Sequence, residues 1–191
     1  METVLCILLG LGLAAACGFR VFIPPLVMSV AALAGHLTLA PGFRWIGTWP
    51  ALLAFGTAAA LEIGAYYFPW LDNLLDAIAS PTAVVAGIMV SASVMTDMSP
   101  LLKWTLAVIA GGGAAGMVQA ITVKTRALSS LFTLGSGNHV VSTTESAGAA
   151  AAAGISIVFP AFAVLVLGLA AFIGFMLFFR RSRGRPVRHE T

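Results

Sequence analysis

The sequence predicts an all-α fold, a polytopic bundle of about six or seven transmembrane helices with broken or re-entrant elements. Two observations predict it. Of the 191 residues, 60% are hydrophobic and only 9% are charged, whereas a typical soluble domain is about 25% charged. The charges also leave uncharged runs long enough for a spanning helix, which needs roughly 20 residues. These runs are 3–19, 21–43, 45–61, 77–96, 104–123, 127–144 and 146–179.

Start signals set the boundaries of the predicted helices. Ser80-Pro81 and Ser99-Pro100 have the pattern of an N-cap followed by proline at the first helical position. Ser142 and Glu145 have the spacing of a capping box, which would start the last helix. Pro160 would bend or break that helix. The predicted helices are about 3–18, 20–38, 49–69, 81–96, 100–123, 127–134 and 143–179.

The charge distribution predicts a single transmembrane domain, 1–179, followed by an Arg-rich tail, 180–191. The net charge is +3, and five of the ten Lys and Arg residues lie in the tail. Basic residues are enriched on the cytoplasmic side of membrane proteins, so we expect a cytoplasmic C-terminus. Seven crossings would then place the N-terminus outside. Because the basic residues form a tail and not a face, we expect the lipid bilayer as a partner, and no nucleic acid.

Small residues recur at the i, i+4 spacing on which membrane helices pack closely. This pattern predicts packing within the chain or, alternatively, a homodimer through one of the small-residue faces. A faint similarity between 49–82 and 104–137 would be an internal repeat, inverted if an odd number of crossings separated the copies. The small-residue lines are Gly10-Ala14-Gly18, Gly56-Ala60-Gly64, Gly112-Gly116-Ala120 and Gly148-Ala152-Ser156.

Glu62 is the ionisable residue that the predicted topology explains least, since it lies inside the third helix. Such residues are costly in a bilayer and often functional. Glu62 is either a structural buried carboxyl, paired or protonated, or a proton or cation site. Arg20, beside Pro24, is the expected partner. Arg20 could equally be an interfacial residue whose charge reaches the membrane surface.

Asp72 and Asp76 are four residues apart, so their carboxylates share a helix face. Residues 70–79 are predicted to form a short amphipathic helix in the membrane interface. The two carboxylates are either a solvated polar face or a site that captures a hard cation. Pro81, which follows, marks a polar break that is a candidate for the transport path.

Residues 135–145 form a polar insert between apolar segments. It is either an exposed loop or irregular backbone in a protein-lined cavity, where the start of the next helix would offer N–H groups to an anion. A lone histidine here is a weak metal signal, and no metal site is expected. The candidate binding residues of the insert are Asn138, His139, Thr143, Thr144 and Glu145.

Two strings carry a resemblance to a known family: Gly-Phe-Arg-Val-Phe-Ile-Pro-Pro at 18–25 and Gly-Asn-His-Val-Val-Ser-Thr-Thr-Glu-Ser at 137–146. With them, about residues 5–175 resemble a family of small bacterial membrane proteins classed as a domain of unknown function. This resemblance implies a multi-pass protein of the bacterial inner membrane, and no activity. The arginine near Phe-Ile-Pro is faintly similar to DedA-type lipid-carrier transporters, although the second arginine of that pattern is absent here.

The function expected from these features is that of a small secondary transporter or channel for an ion or small solute. The alternative is a non-transporting scaffold or assembly factor whose basic tail binds lipid or a partner protein. An intramembrane lipid-modifying enzyme ranks lowest, because no nucleophile–base spacing is evident. We therefore expect no enzymatic activity and no cofactor.

Overall fold

The computed structural model describes residues 2–65, 69–133, 138–165 and 168–169, and it describes their side chains except at 2, 69–77, 127–133 and 138–140. This part of the chain is helical and contains no strand, which confirms the all-α class. The elements are α1 (Glu2–Cys17), α2 (Ile23–Leu33), the 3-10 helix η1 (Pro41–Gly47), α3 (Trp49–Ala65), α4 (Pro69–Val94), α5 (Pro100–Leu106), the π-helical turn Ala107–Gly112, α6 (Gly113–Thr133) and α7 (Asn138–Val158).

The described helices pack around α1 and alternate in direction. Ser91 of α4 donates a hydrogen bond to the Gly10 carbonyl of α1, over 2.9 Å, while Gly87 faces Ala14, so α4 is antiparallel to α1. We call the end of the bundle where α1 begins the first end and the other the second end. The helix from α5 to α6 runs from the first end to the second, and α7 returns to the first.

Close approach of small residues holds α1, α4 and α6 together. A Cβ added to Gly111 would lie 2.3 Å from the Ser91 hydroxyl, and one added to Gly87 would lie 2.5 Å from the Cβ of Ala115. Positions of the predicted lines also approach other residues of this chain: a Cβ would lie 3.3 Å from Ser91 at Gly10, and 3.2 Å from Val84 at Gly116. The small-residue lines of α1 and α6 therefore pack internally. On α3, by contrast, a Cβ at Gly64 would meet nothing within 4 Å. The predicted homodimer stays a prediction.

Several predicted boundaries are wrong, among them the end of the second helix, which is at Leu33 and not near residue 38. Pro81 lies inside α4 and does not start a helix; the helix continues past it, and Thr82 donates a hydrogen bond to the Ile78 carbonyl. Residues 70–79 are therefore part of α4 and not a separate interfacial helix. The predicted break near residue 125 is absent because α6 continues to Thr133.

The helix start at Pro100 is confirmed, since the Ser99 hydroxyl accepts a hydrogen bond from the Leu102 amide. The predicted interruption at Pro160 is also confirmed, because α7 ends at Val158 and the chain is helical again from 160 to 165. The predicted similarity of 49–82 to 104–137 aligns α3 with the α5–α6 helix. These two helices run in the same direction. A repeat with this alignment would be direct and not inverted.

Among the described residues, one helix, Pro100–Arg126, is long and apolar enough to cross a membrane. A second candidate arises if η1 and α3, which meet at 67°, are counted as one span. Three shorter apolar helices cover Thr3–Cys17, Ile23–Leu33 and Ile78–Val94. The predicted count of six or seven spans is therefore not established by helix length and composition.

Candidate functional site

Arg20 lies in the non-helical break between α1 and α2, and its side chain is almost completely buried, with 1% of the residue exposed. The break is held against α6 by Gly18: a Cβ at this position would lie 2.5 Å from the Ala115 carbonyl oxygen. Thr122 of α6 also donates to the Gly18 carbonyl over 3.4 Å. The end of α1 is therefore tightly seated, which fixes where the Arg20 side chain begins.

The Arg20 guanidinium reaches the first turns of α7. Its Nη2 donates to the Ser142 carbonyl over 3.0 Å and to the Ser142 hydroxyl over 2.5 Å. The same nitrogen lies 3.6 Å from Oε2 of Glu145. These contacts join residues 122 positions apart in the chain. The predicted capping box is wrong, because α7 begins at Asn138 and the Ser142 hydroxyl is bonded to Arg20.

Glu145 is shared between two guanidiniums. The Nε of Arg126 lies 3.0 Å and 2.9 Å from the two Glu145 carboxylate oxygens, and Nη2 of Arg126 also donates to this carboxylate. Only 6% of Arg126 and 7% of Glu145 is exposed. We call Arg20, Arg126, Ser142 and Glu145 the charged centre. It links the break after α1 to α6 and α7 at the second end of the bundle.

Glu62 caps the start of α2. Its carboxylate oxygens accept hydrogen bonds from the Val21 amide over 2.9 Å and from the Phe22 amide over 3.1 Å, and Phe22 is the N-cap of α2. Pro24 and Pro25 follow in the first turn and have no N–H to offer. A carboxylate of the protein itself therefore occupies the place where an anion would bind a helix N-terminus.

The predicted pairing of Glu62 with Arg20 is corrected by these contacts. The two residues are neighbours through the main chain of Val21 and Phe22, but their side chains have different partners. The sequence singled out both residues, but it left open whether Arg20 is buried or reaches the membrane surface. It could not assign the partners, because a helix break exposes main-chain amides that compete with the guanidinium for the carboxylate.

The other predicted residues divide into two groups. Pro24 is buried in the first turn of α2, whereas Pro81, Thr143 and Thr144 are exposed. The Thr144 hydroxyl donates to the Val141 carbonyl of its own helix. The Asp72, Asp76, Asn138 and His139 side chains lie outside the described residues. No group of three His, Cys, Asp or Glu side chains that could hold a metal occurs in the described part of the chain.

Arg126 and Ser142 were not predicted as site residues. Arg126 lies between the uncharged runs 104–123 and 127–144, where the charge pattern predicts the end of a span. A usable signal was present: Gln119, Thr122 and Arg126 lie at helical spacing on one face of α6, and all three are buried. A polar line on one face of an apolar helix indicates a polar partner inside the bundle.

Hydrogen-bond donors make up most of the charged centre. The two guanidiniums and the Ser142 hydroxyl can each donate to an oxyanion, and the Glu145 carboxylate is the oxyanion that the guanidiniums contact in this structure. Guanidiniums recognise planar carboxylates and phosphates through paired N–H groups. The arrangement can therefore hold an anion in place of Glu145, or lose its central charge when Glu145 is protonated.

Comparison with known families identifies the family of this chain. A family model described as a domain of unknown function, DUF4126, matches residues 7–180. The chain belongs to the DUF4126 family. The match includes every residue of the charged centre and Glu62, and it confirms the family resemblance drawn from the strings at 18–25 and 137–146. No curated protein and no solved structure gave a significant match, so the DedA-type likeness stays a prediction.

Proposed function

We propose that this DUF4126 chain is a multi-pass protein of the bacterial inner membrane. Its composition supports this, and so does the apolar surface of the described helices. Large hydrophobic side chains are exposed on several of them, including Leu61 (69%), Leu101 (81%) and Ile109 (70%). Contiguous exposed apolar surface of this kind is rare on soluble monomers and suits contact with lipid tails.

The orientation that we propose has both termini in the cytoplasm. The helices alternate in direction from α1 to α7, with α5 and α6 counted as one helix. This alternation makes α7 run back towards the first end, where α1 begins. The Arg-rich tail follows α7 in the sequence, and Arg44 and Lys103 lie at the first end. The positive-inside rule then makes that end cytoplasmic. This orientation replaces the expected outer N-terminus, and it places the charged centre towards the outer side.

We propose further that the protein transports a small oxyanion, with the charged centre as its binding site. The observation that carries this proposal is the buried Arg20 in a helix break, bonded across the bundle to Ser142 and Glu145. Removing charges from water is costly unless they are paired, and charged groups inside membrane domains often mark solute pathways. Non-helical backbone at membrane depth occurs where it is buried in protein or lines a cavity, and the turn that carries Arg20 is buried in the bundle.

The donor groups of the charged centre favour an anion over a metal cation. The guanidiniums of Arg20 and Arg126 both contact the Glu145 carboxylate, and a guanidinium carries N–H donors and no atom that could ligate a metal. A carboxylate- or phosphate-bearing solute could exchange with this side chain while keeping the same donors. The exchange would leave Glu145 free to take up a proton, which would couple solute movement to proton movement. Glu62 has a positioning role in this proposal, because it fixes the start of α2 next to Arg20.

Uptake into proteoliposomes tests the proposal. The purified full-length protein is reconstituted, and uptake of labelled inorganic phosphate and of labelled succinate is measured against protein-free vesicles, with an internal pH dye recording proton movement. We expect at least one oxyanion probe to enter faster than in empty vesicles, accompanied by a pH change. Uptake of neither probe above empty vesicles would contradict the transport proposal and favour the scaffold alternative.

A further inference from the structure

The first end of the bundle carries a surface whose residues differ sharply from those of the charged centre. It consists of η1 and the starts of α3 and α5. We call Arg44, Trp45, Trp49, Lys103 and Trp104 the aromatic end. The three tryptophans are exposed to 51%, 68% and 43% in chain order, Arg44 is exposed, and Lys103 is half-buried.

The geometry of η1 produces this surface. The helix meets α3 at 67°, so it lies across the end of the bundle instead of along it. Phe43 and Ile46 point into the core and are 7% and 4% exposed. Arg44 and Trp45 alternate with them on the outer side. A short helix with this division of apolar and basic faces is typical of an element that lies in a membrane interface.

Ring contacts bring α5 to the same surface. The Phe43 and Trp104 ring centroids are 6.3 Å apart, and the Lys103 ammonium lies 5.8 Å from the Phe43 ring centroid. On the other side, the Trp45 ring packs 5.8 Å from that of Phe55. The Lys103 ammonium is therefore held beside the packed Phe43 and Trp104 rings, and Arg44 directly precedes the exposed Trp45 in η1.

A shallow apolar groove begins next to Lys103. It is lined by Trp104, Thr105, Val108 and Ile109, and it follows α5 into the π-helical turn Ala107–Gly112. The turn widens the helix locally, as π-helical turns do. Lys103 precedes this shallow apolar surface in the chain, and a cation close to exposed apolar surface is complementary to a phosphate headgroup with an acyl chain attached.

We infer that the aromatic end binds the anionic phospholipids of the cytoplasmic leaflet. Arg44 and Lys103 attract the headgroup phosphates, the tryptophans sit at the headgroup level, and one acyl chain lies along the groove. The inference rests on the membrane placement proposed above, but not on transport. Basic residues at an anionic membrane surface contribute about 1 kcal/mol each, equivalent to roughly a five-fold preference per charge.

Fluorescence quenching by brominated lipids tests the inference. The full-length chain contains four tryptophans, so the variant Trp70→Phe leaves only those of the aromatic end. It is reconstituted in phosphatidylcholine vesicles containing brominated phosphatidylglycerol or, at equal content, brominated phosphatidylcholine. We expect stronger quenching by the phosphatidylglycerol probe. The double change Arg44→Gln/Lys103→Gln should reduce this preference at least five-fold, whereas Lys124→Gln, an exposed cation on α6, should leave it unchanged.

The outcomes separate this inference from the proposals before it. Equal quenching by the two brominated lipids would overturn the anionic-lipid site while leaving the membrane placement intact. No quenching by either lipid would contradict the membrane placement itself. A second measurement uses the unaltered tryptophans: the phosphatidylglycerol retained per protein after detergent purification should fall in the Arg44→Gln/Lys103→Gln chain, and equal retention would also overturn the inference.

Discussion

The two ends of the bundle use the same kinds of residue in opposite ways. At the second end, Arg20, Arg126 and Glu145 are buried. Both guanidiniums contact the Glu145 carboxylate, and Arg20 also donates to Ser142. At the first end, Arg44 is exposed, and Lys103 lies against an aromatic ring. The buried contacts at the second end fix the relative positions of three helical segments. The charges at the first end remain available to the surroundings.

This difference has an energetic consequence. A buried charge that loses its partner remains desolvated and costs several kcal/mol, whereas an exposed charge contributes little to stability. Substitutions at the charged centre should therefore change folding and transport together. Substitutions at the aromatic end should change lipid preference while leaving the fold intact.

Removal of the Glu145 carboxylate, which Arg20 and Arg126 share, should have the largest effect on the free energy of unfolding. In Glu145→Gln, two buried guanidiniums would share a neutral amide, and we expect the free energy of unfolding to fall by about 3–5 kcal/mol. Lys103→Gln, at the other end, should change it by no more than about 0.5 kcal/mol. Unfolding by SDS titration in mixed micelles measures both. Equal stabilities of the two variants would show that the charged centre is not a buried unit.

Loss of the Glu62 cap at the start of α2 should have the second-largest effect on the free energy of unfolding. Glu62→Ala would leave the Val21 and Phe22 amides without their carboxylate, at about 1–3 kcal/mol for each unsatisfied buried group. Glu62→Gln keeps one acceptor oxygen, so the free energy of unfolding should fall by about half as much as in Glu62→Ala. Hydrogen exchange at the Val21 and Phe22 amides reports the cap directly. Unchanged exchange in Glu62→Ala would remove Glu62 from this role.

Glycine substitution compares the packing at the two ends. A Cβ at Gly18 would lie 2.5 Å from the Ala115 carbonyl oxygen and 2.6 Å from the Val118 Cβ, so Gly18→Ala should cost about 1–3 kcal/mol by overpacking. Gly42, in η1, has nothing within 4 Å of the corresponding position, and Gly42→Ala should be neutral to within about 0.5 kcal/mol. Thermal unfolding in detergent distinguishes them. A Gly18→Ala chain as stable as Gly42→Ala would mean that α1 and α6 are not in close contact here.

Local signals predicted those parts of the fold that depend on one stretch of chain. The helix class follows from apolar run length, the start of α5 from Ser99-Pro100, and the interruption of α7 from Pro160. Pro81 was misread because a proline after serine resembles a helix start even where the surrounding helix packs well enough to continue through it.

Partner choice could not be predicted, because it depends on which distant segments fold together. Glu62 and Arg20 were both identified as exceptional, but only the packing of α3 against the start of α2 shows that the carboxylate takes main-chain amides. The charge pattern places Arg126 between two predicted helices, whereas its place on α6 opposite Glu145 is a property of the assembled bundle.

Oxyanion uptake by the Glu145→Gln chain, compared with Lys124→Gln in matched vesicles, tests the central claim most directly. Lys124 is an exposed cation on α6 near Arg126, so it controls for loss of a charge at the same end. The account predicts that Lys124→Gln transports at the wild-type rate, and that correctly inserted Glu145→Gln loses at least 90% of the uptake and the accompanying pH change, a tenfold effect corresponding to about 1.4 kcal/mol. Wild-type uptake by inserted Glu145→Gln would contradict the account.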